Sequence, residues 1–135
     1  MAKKILLGVL VLVVLVGGLA WWLVQATGEP VKVIRAHLEA INQDDYSRAY
    51  SYLSANAQAN MTLEEFKAFV EKNSAVLKTR DASFPSRKIS NNVATIRGTL
   101  TGRQGQVATV RFTLEQEEGV WKIAAMKLRA SPSED

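Results

Sequence analysis

Cysteine is absent from the 135 residues of this chain. Disulfides, thiol nucleophiles, cysteine zinc sites and lipid attachment through an N-terminal cysteine are thereby excluded. The absence fits an oxidising compartment without requiring one. Histidine occurs once, at His37. No His–His metal pair exists, and no acidic cluster has the spacing of a cation-ligating loop. A Gly-rich phosphate loop, a G-x-S-x-G elbow and an H-E-x-x-H helix are also missing. Basic residues are not interleaved with aromatic ones as on a single-stranded nucleic-acid platform. Cofactor, metal and nucleic acid are therefore not expected.

What charge there is lies unevenly. The formal net charge is +4. Pro30 to Asp81 carries 7 basic and 7 acidic side chains, whereas Ala82 to Arg129 carries 8 basic and 3 acidic. Solvated basic side chains are the favoured explanation of this excess, although it also fits contact with an anionic surface.

Ile5 to Val24 contains no charged residue. As a helix it reaches about 30 Å, the thickness of a hydrocarbon core. Lys3 and Lys4 flank its start, and Trp21 and Trp22 fall where an interfacial aromatic belt sits. The pattern predicts a membrane anchor over 1–26, a hinge over 27–29, a domain over 30–129 and a disordered tail over 130–135. The charge asymmetry predicts a single-pass inner-membrane protein with its N-terminus in the cytoplasm and its domain outside. A cleaved signal peptide ending at Val24-Gln25-Ala26 competes, but the run is long for one and two Trp lie just upstream.

Beyond the hinge, Val31, Ile34, Leu38 and Ile41 recur at helical spacing. Asp44 is read as the N-cap of a second helix with Tyr46, Ala49, Tyr50 and Leu53 inward. Ser54 to Asn60 reads as a polar connection. Thr62-Leu63-Glu64-Glu65 is a capping box, with Met61 able to staple onto Phe66, and opens a third helix ending near Asn73. The period then changes to two. Val93 to Thr101 and Gln106 to Gln116 alternate as half-buried antiparallel strands. Ser83 to Ser90, broken by Pro85, reads as an edge strand, and Val120 to Arg129 as the last. That last strand contains a conflict of phase: Trp121 and Ile123 share one face, Met126 and Leu128 the other. A bulge near Ala124-Ala125 reconciles them; otherwise one pair faces outward, where a homodimer through the outer sheet face would bury it. A three-residue loop, Arg103-Gln104-Gly105, sets Arg97 opposite Arg111 and keeps Ile96 and Phe112 inward.

Three helices and then about four strands predict an α+β domain with helices on one face of an antiparallel sheet. Val33-Ile34-Arg35-Ala36-His37-Leu38-Glu39-Ala40-Ile41, then Asp44-Asp45-Tyr46 leading to Ala49-Tyr50 and Leu53-Ser54, the capped Thr62–Phe69 helix and Gly119-Val120-Trp121-Lys122-Ile123 carry a resemblance. From Pro30 to Leu128 the chain resembles the nuclear transport factor 2-like superfamily, and is similar to its small membrane-anchored or secreted bacterial members, lumazine-binding-like ones among them. The resemblance implies a cone-shaped sheet wrapped by helices. Enzymes of that superfamily, such as ketosteroid isomerases and scytalone dehydratase, use a buried Asp, Tyr or His in the cone. Here the inward strand positions Ala94, Ile96, Leu100, Val110, Phe112 and Leu114 supply neither acid nor base, so no catalysis is expected.

Two functions remain. The first is a non-catalytic interaction or assembly module of the cell envelope, meeting an unknown envelope protein or anionic head groups through Arg97 and Arg111. The alternative is a binder of a small apolar ligand in the cone, lined by His37, Tyr46, Tyr50, Phe66, Ile96 and Phe112, with Gly98 leaving space in the sheet. A polar group in a cavity favours the binder; a solid core with an apolar outer patch favours the module.

Overall fold

Pro30 opens the first helix, α1 (Pro30–Asn42), where its missing N–H is no loss. The chain is described here from a computed structural model over residues 30–130. The expected anchor and hinge, with Lys3, Lys4, Trp21 and Trp22, lie outside the described residues, as do residues 131–135. No helix among the described residues is long and apolar enough to cross a membrane. Val33, His37 and Ala40 are buried along with the expected Val31, Ile34, Leu38 and Ile41, because α1 is packed between the sheet and the next helix.

At the end of α1 the structure corrects the expected cap. Asp44 adopts φ 59°, and the N–H groups of Asp44 and Asp45 donate back to Ile41 and Ala40. This is a Schellman closure, whose left-handed position Asp tolerates better than most residues. The cap of α2 (Tyr46–Ser51) therefore falls to Asp45, whose carboxylate accepts from the Arg48 N–H at 3.3 Å. Ser54 to Asn60 is also not an open connection. Ser54 caps a further helix, α3 (Ala55–Asn60), and the Glu117 carboxylate accepts from the Ala55 N–H at 2.9 Å. The capping box of α4 (Leu63–Lys72) forms as expected, with Thr62 and Glu65 bonded reciprocally at 3.1 and 3.0 Å. A single turn, α5 (Ser74–Leu77), follows and buries Leu77.

Four antiparallel strands then run in sheet order β1 (Thr79–Ser90), β2 (Val93–Gly102), β3 (Val107–Glu117) and β4 (Val120–Ala130). The α+β class holds, with five helices among the described residues where three were expected. The β2–β3 register is the expected one, Arg97 opposite Arg111 and Ile96 opposite Phe112. Gly105 has φ +90°, the left-handed conformation its loop position requires. β1 is the edge, and its register shifts between Ser83 and Ser86, around Pro85. In β4, Leu114 pairs with Ile123 and Thr113 with Ala125, so Ala124 is the extra residue of a bulge. Trp121 and Ile123 are buried, and Met126 and Leu128 pack against the same core. Ile123 also donates to the Tyr52 carbonyl and accepts from the Ser54 N–H, both at 2.8 Å, tying the helical layer to β4 beside the bulge.

Gly98 does not leave space for a ligand. A Cβ there would lie 1.8 Å from the Ser83 carbonyl oxygen and 2.9 Å from the Phe84 Cα, because the β1 bulge folds down onto it. That bulge delivers Phe84 into the core, edge-on to Phe112 with ring centroids 6.1 Å apart. Gly98→Ala should therefore displace β1 and lower unfolding free energy by about 2 kcal/mol, the range for overpacking a filled core. Urea denaturation measures it, and an unchanged midpoint would mean that β1 does not press on Gly98.

Candidate functional site

The helices and β4 leave one apolar depression with a buried titratable group at its wall. It has a volume of about 290 Å³ and lies between α3, α4 and the bulged part of β4. Phe66 and Phe69 come from α4, Ala57 and Asn60 from α3, and Ile123, Ala124 and Met126 from β4. Each position follows from a local cause already described. The Thr62 cap aims α4, the Ser54 cap starts α3, and the extra residue at Ala124 turns Met126 inward beside Ile123.

His37 reaches this groove from α1 and is 2% exposed. Its Nδ1 lies 2.8 Å from the Ala49 carbonyl oxygen, so the proton sits on Nδ1, which donates. Phe66 and Tyr52 stand beside the ring at centroid distances of 5.8 and 6.4 Å. Burial lowers the imidazole pKa to about 4, against a smaller opposite push from the Ala49 bond. The ring is therefore neutral at pH 7, and Nε2 is a lone-pair acceptor. No buried side-chain nitrogen or oxygen among the described residues lacks a partner. Nε2 has no hydrogen-bond partner among the described residues and so is not fully sealed, and the ring forms part of the groove wall. A group with so low a pKa is a weak proton acceptor but a sound hydrogen-bond acceptor.

The six expected pocket residues separate. His37 and Phe66 line the groove. Tyr50 stands behind it, its ring 5.9 Å from Phe66 and its hydroxyl between the carbonyls of Met61 and Gln58, donating to the nearer, Met61, at 2.5 Å. Tyr46 lies elsewhere, with Lys67 and Lys78 over its ring and its hydroxyl 3.4 Å from Asp44. Ile96 and Phe112 are fully buried in the core and do not line the groove; the Phe84 ring packs edge-on against Phe112. Sequence reasoning passed over Ala57 and Phe69. The Ala-rich run after Ser54 was the available signal for α3.

On the other side of the sheet, Arg97 is exposed and Arg111 half-buried. Lys127 stands opposite Arg111, and Arg129 is opposite Thr109. These side chains border an open depression of about 860 Å³. No group of three or more His, Cys, Asp or Glu among the described residues is placed to hold a metal ion.

Residues 25–135 match the family described as Domain of unknown function (DUF4864), and the chain belongs to that family. No curated protein matches the chain.

The lowered pKa of His37 has a stability consequence. The unfolded ring titrates near 6.5 and the folded one at about 4, so the unfolded chain binds more protons between those values. The native state keeps its full share of stability above about pH 6.5 and loses it as pH falls toward 4, by about 3 kcal/mol in all. His37→Phe should remove this increment, since Ala49 O retains the Tyr52 N–H as a partner. Urea melts of both chains at pH 7 and pH 4.5 compare the losses; equal acid losses would contradict a neutral buried His37.

Proposed function

We propose that this chain is a membrane-tethered, outward-facing binding domain that takes a small apolar molecule with one hydrogen-bond donor into the groove over His37. One observation carries the reading: a neutral, buried imidazole, its acceptor nitrogen without a partner among the described residues, in the wall of an otherwise mainly apolar groove. An apolar wall with few polar groups is the usual make-up of a small-molecule site. The polar group fixes orientation, and the apolar wall supplies most of the affinity. The groove offers no second acid or base beside His37, so binding rather than catalysis is the activity it supports.

The tether is read from the uncharged run Ile5–Val24 and the flanking Lys3 and Lys4. The fold is read as a small member of the nuclear transport factor 2-like superfamily. Helices first, then a four-stranded antiparallel meander, support that reading. The interaction-module reading draws on the outer sheet face, which is cationic rather than apolar at Arg97 and Arg111.

Naphthol and its methyl ether test the groove on the full chain. Naphthol should bind saturably, and its ether about tenfold more weakly for want of a donor to Nε2. Ala57→Trp, which fills the groove, should abolish both. Fluorescence titration reads all three. Equal affinities for naphthol and ether would remove the role of His37, and undiminished binding to Ala57→Trp would remove the groove.

A further inference from the structure

We propose that the outer face of the sheet is a docking surface for an anionic phospholipid bilayer, engaged through Arg97, Arg111, Lys127 and Arg129. The register puts the first three in one row across β2, β3 and β4, and Arg129 one outward position further along β4. Strand spacing is about 4.8 Å, so the row spans roughly 10 Å. That is long for one free phosphate and suits neighbouring head groups. The depression they border is open and broad, about 860 Å³, which fits a surface better than an enclosed ion.

No acid among the described residues stands in the row. The acids of this face, Asp81 and Glu115, lie two outward positions from Arg97 and from Arg111 respectively, by the Asp81–Thr101 and Glu115–Lys122 pairings. The ion pair among the described residues, Lys78–Asp44, uses none of the four cations. Like charges directly opposite are unfavourable in a sheet. The arrangement is relieved by an external anion, and guanidinium forks match phosphate oxygens two at a time. Thr99, exposed and paired one row on with Thr109, adds a hydroxyl donor, while the Thr109 hydroxyl donates to the Arg129 carbonyl at 3.3 Å.

The bilayer is the anionic partner that the chain itself brings near, and here the inference rests on the tether proposed above. Residues 25–29 alone separate the uncharged run from α1. Five residues reach at most about 17 Å. A domain held so closely meets that surface at high effective concentration. A second copy on this face would instead oppose four cations to four. Each basic side chain near an anionic leaflet strengthens association about fivefold.

The absence of cysteine supplies the probe. Thr99→Cys carries an environment-sensitive dye on the strip, and Glu64→Cys carries it on the exposed side of α4. The full chain is placed in vesicles of phosphatidylcholine, with or without one quarter phosphatidylglycerol. The Thr99 dye should shift to the blue only in the anionic vesicles and revert at about 0.5 M salt, while the Glu64 dye stays unchanged. Replacing all four cations with Gln should weaken docking on the order of several hundredfold and abolish the shift. The proposal is overturned by no shift in anionic vesicles, by an equal shift in neutral ones, or by a shift that survives the fourfold replacement. It is overturned too by a Thr99→Cys disulfide dimer in neutral vesicles, which would mean a second copy covers the face. A shift produced by added polyglutamate but not by the lipid would mean an acidic protein does. Flotation separates the tether from the strip. A chain that fails to float with neutral vesicles refutes the tether; if it then floats with anionic ones the docking surface stands, and if it floats with neither the surface falls.

Discussion

The extra residue at Ala124 decides what each side of the molecule is. A regular strand from Trp121 would carry Ile123, Ala125, Lys127 and Arg129 on one face, driving two cations into the core. The bulge shifts the phase by one, so that Met126 and Leu128 join Trp121 and Ile123 inside while Lys127 and Arg129 join Arg111 outside. Leaving two charged groups without partners in the interior would cost several kcal/mol each, far more than an interrupted ladder bond. The apolar and basic residues of β4 thus fix the bulge, and the bulge fixes the faces.

Both candidate surfaces follow from that phase shift. Inside, Met126 beside Ile123 closes the groove wall that α3 and α4 begin, with His37 at its side. Outside, Lys127 and Arg129 extend the Arg97–Arg111 pair into a strip. The backbone bonds from Ile123 to Tyr52 and Ser54 hold the helical layer against the same point. Groove and strip therefore share one strand while facing opposite ways. Occupancy of either is free to proceed without covering the other.

The elements that were legible in the sequence are those whose cause is local. The α4 capping box lies within four residues, the hairpin register follows from Gly105, the edge position of β1 from Pro85, and the bulge from the clash of phase between Ile123 and Met126. Where the cause is remote the sequence offers little beyond local propensity. α3 buries none of its residues and has no apolar periodicity; its first N–H is met by Glu117, 62 residues away. The groove needs α3, so its wall was missed along with the helix. Ile96 and Phe112 alternate as pocket-facing strand residues should, yet both are fully buried, Phe112 against the Phe84 ring that the irregularity in β1 carries into the core. Asp44 reads as the cap of α2, and Asp45 takes that role instead. The choice fell to the chain reversal after α1, which needs a left-handed residue at position 44.

A cysteine scan of β4 tests the phase shift most directly, since the chain has no cysteine of its own. Single replacements from Trp121 to Arg129, probed with a water-soluble maleimide, should show positions 122, 125, 127 and 129 reacting fast and 121, 123, 126 and 128 slowly, with the alternation slipping at Ala124. An unbroken period of two, with positions 127 and 129 protected and 126 and 128 reactive, would contradict the bulge and with it both surfaces.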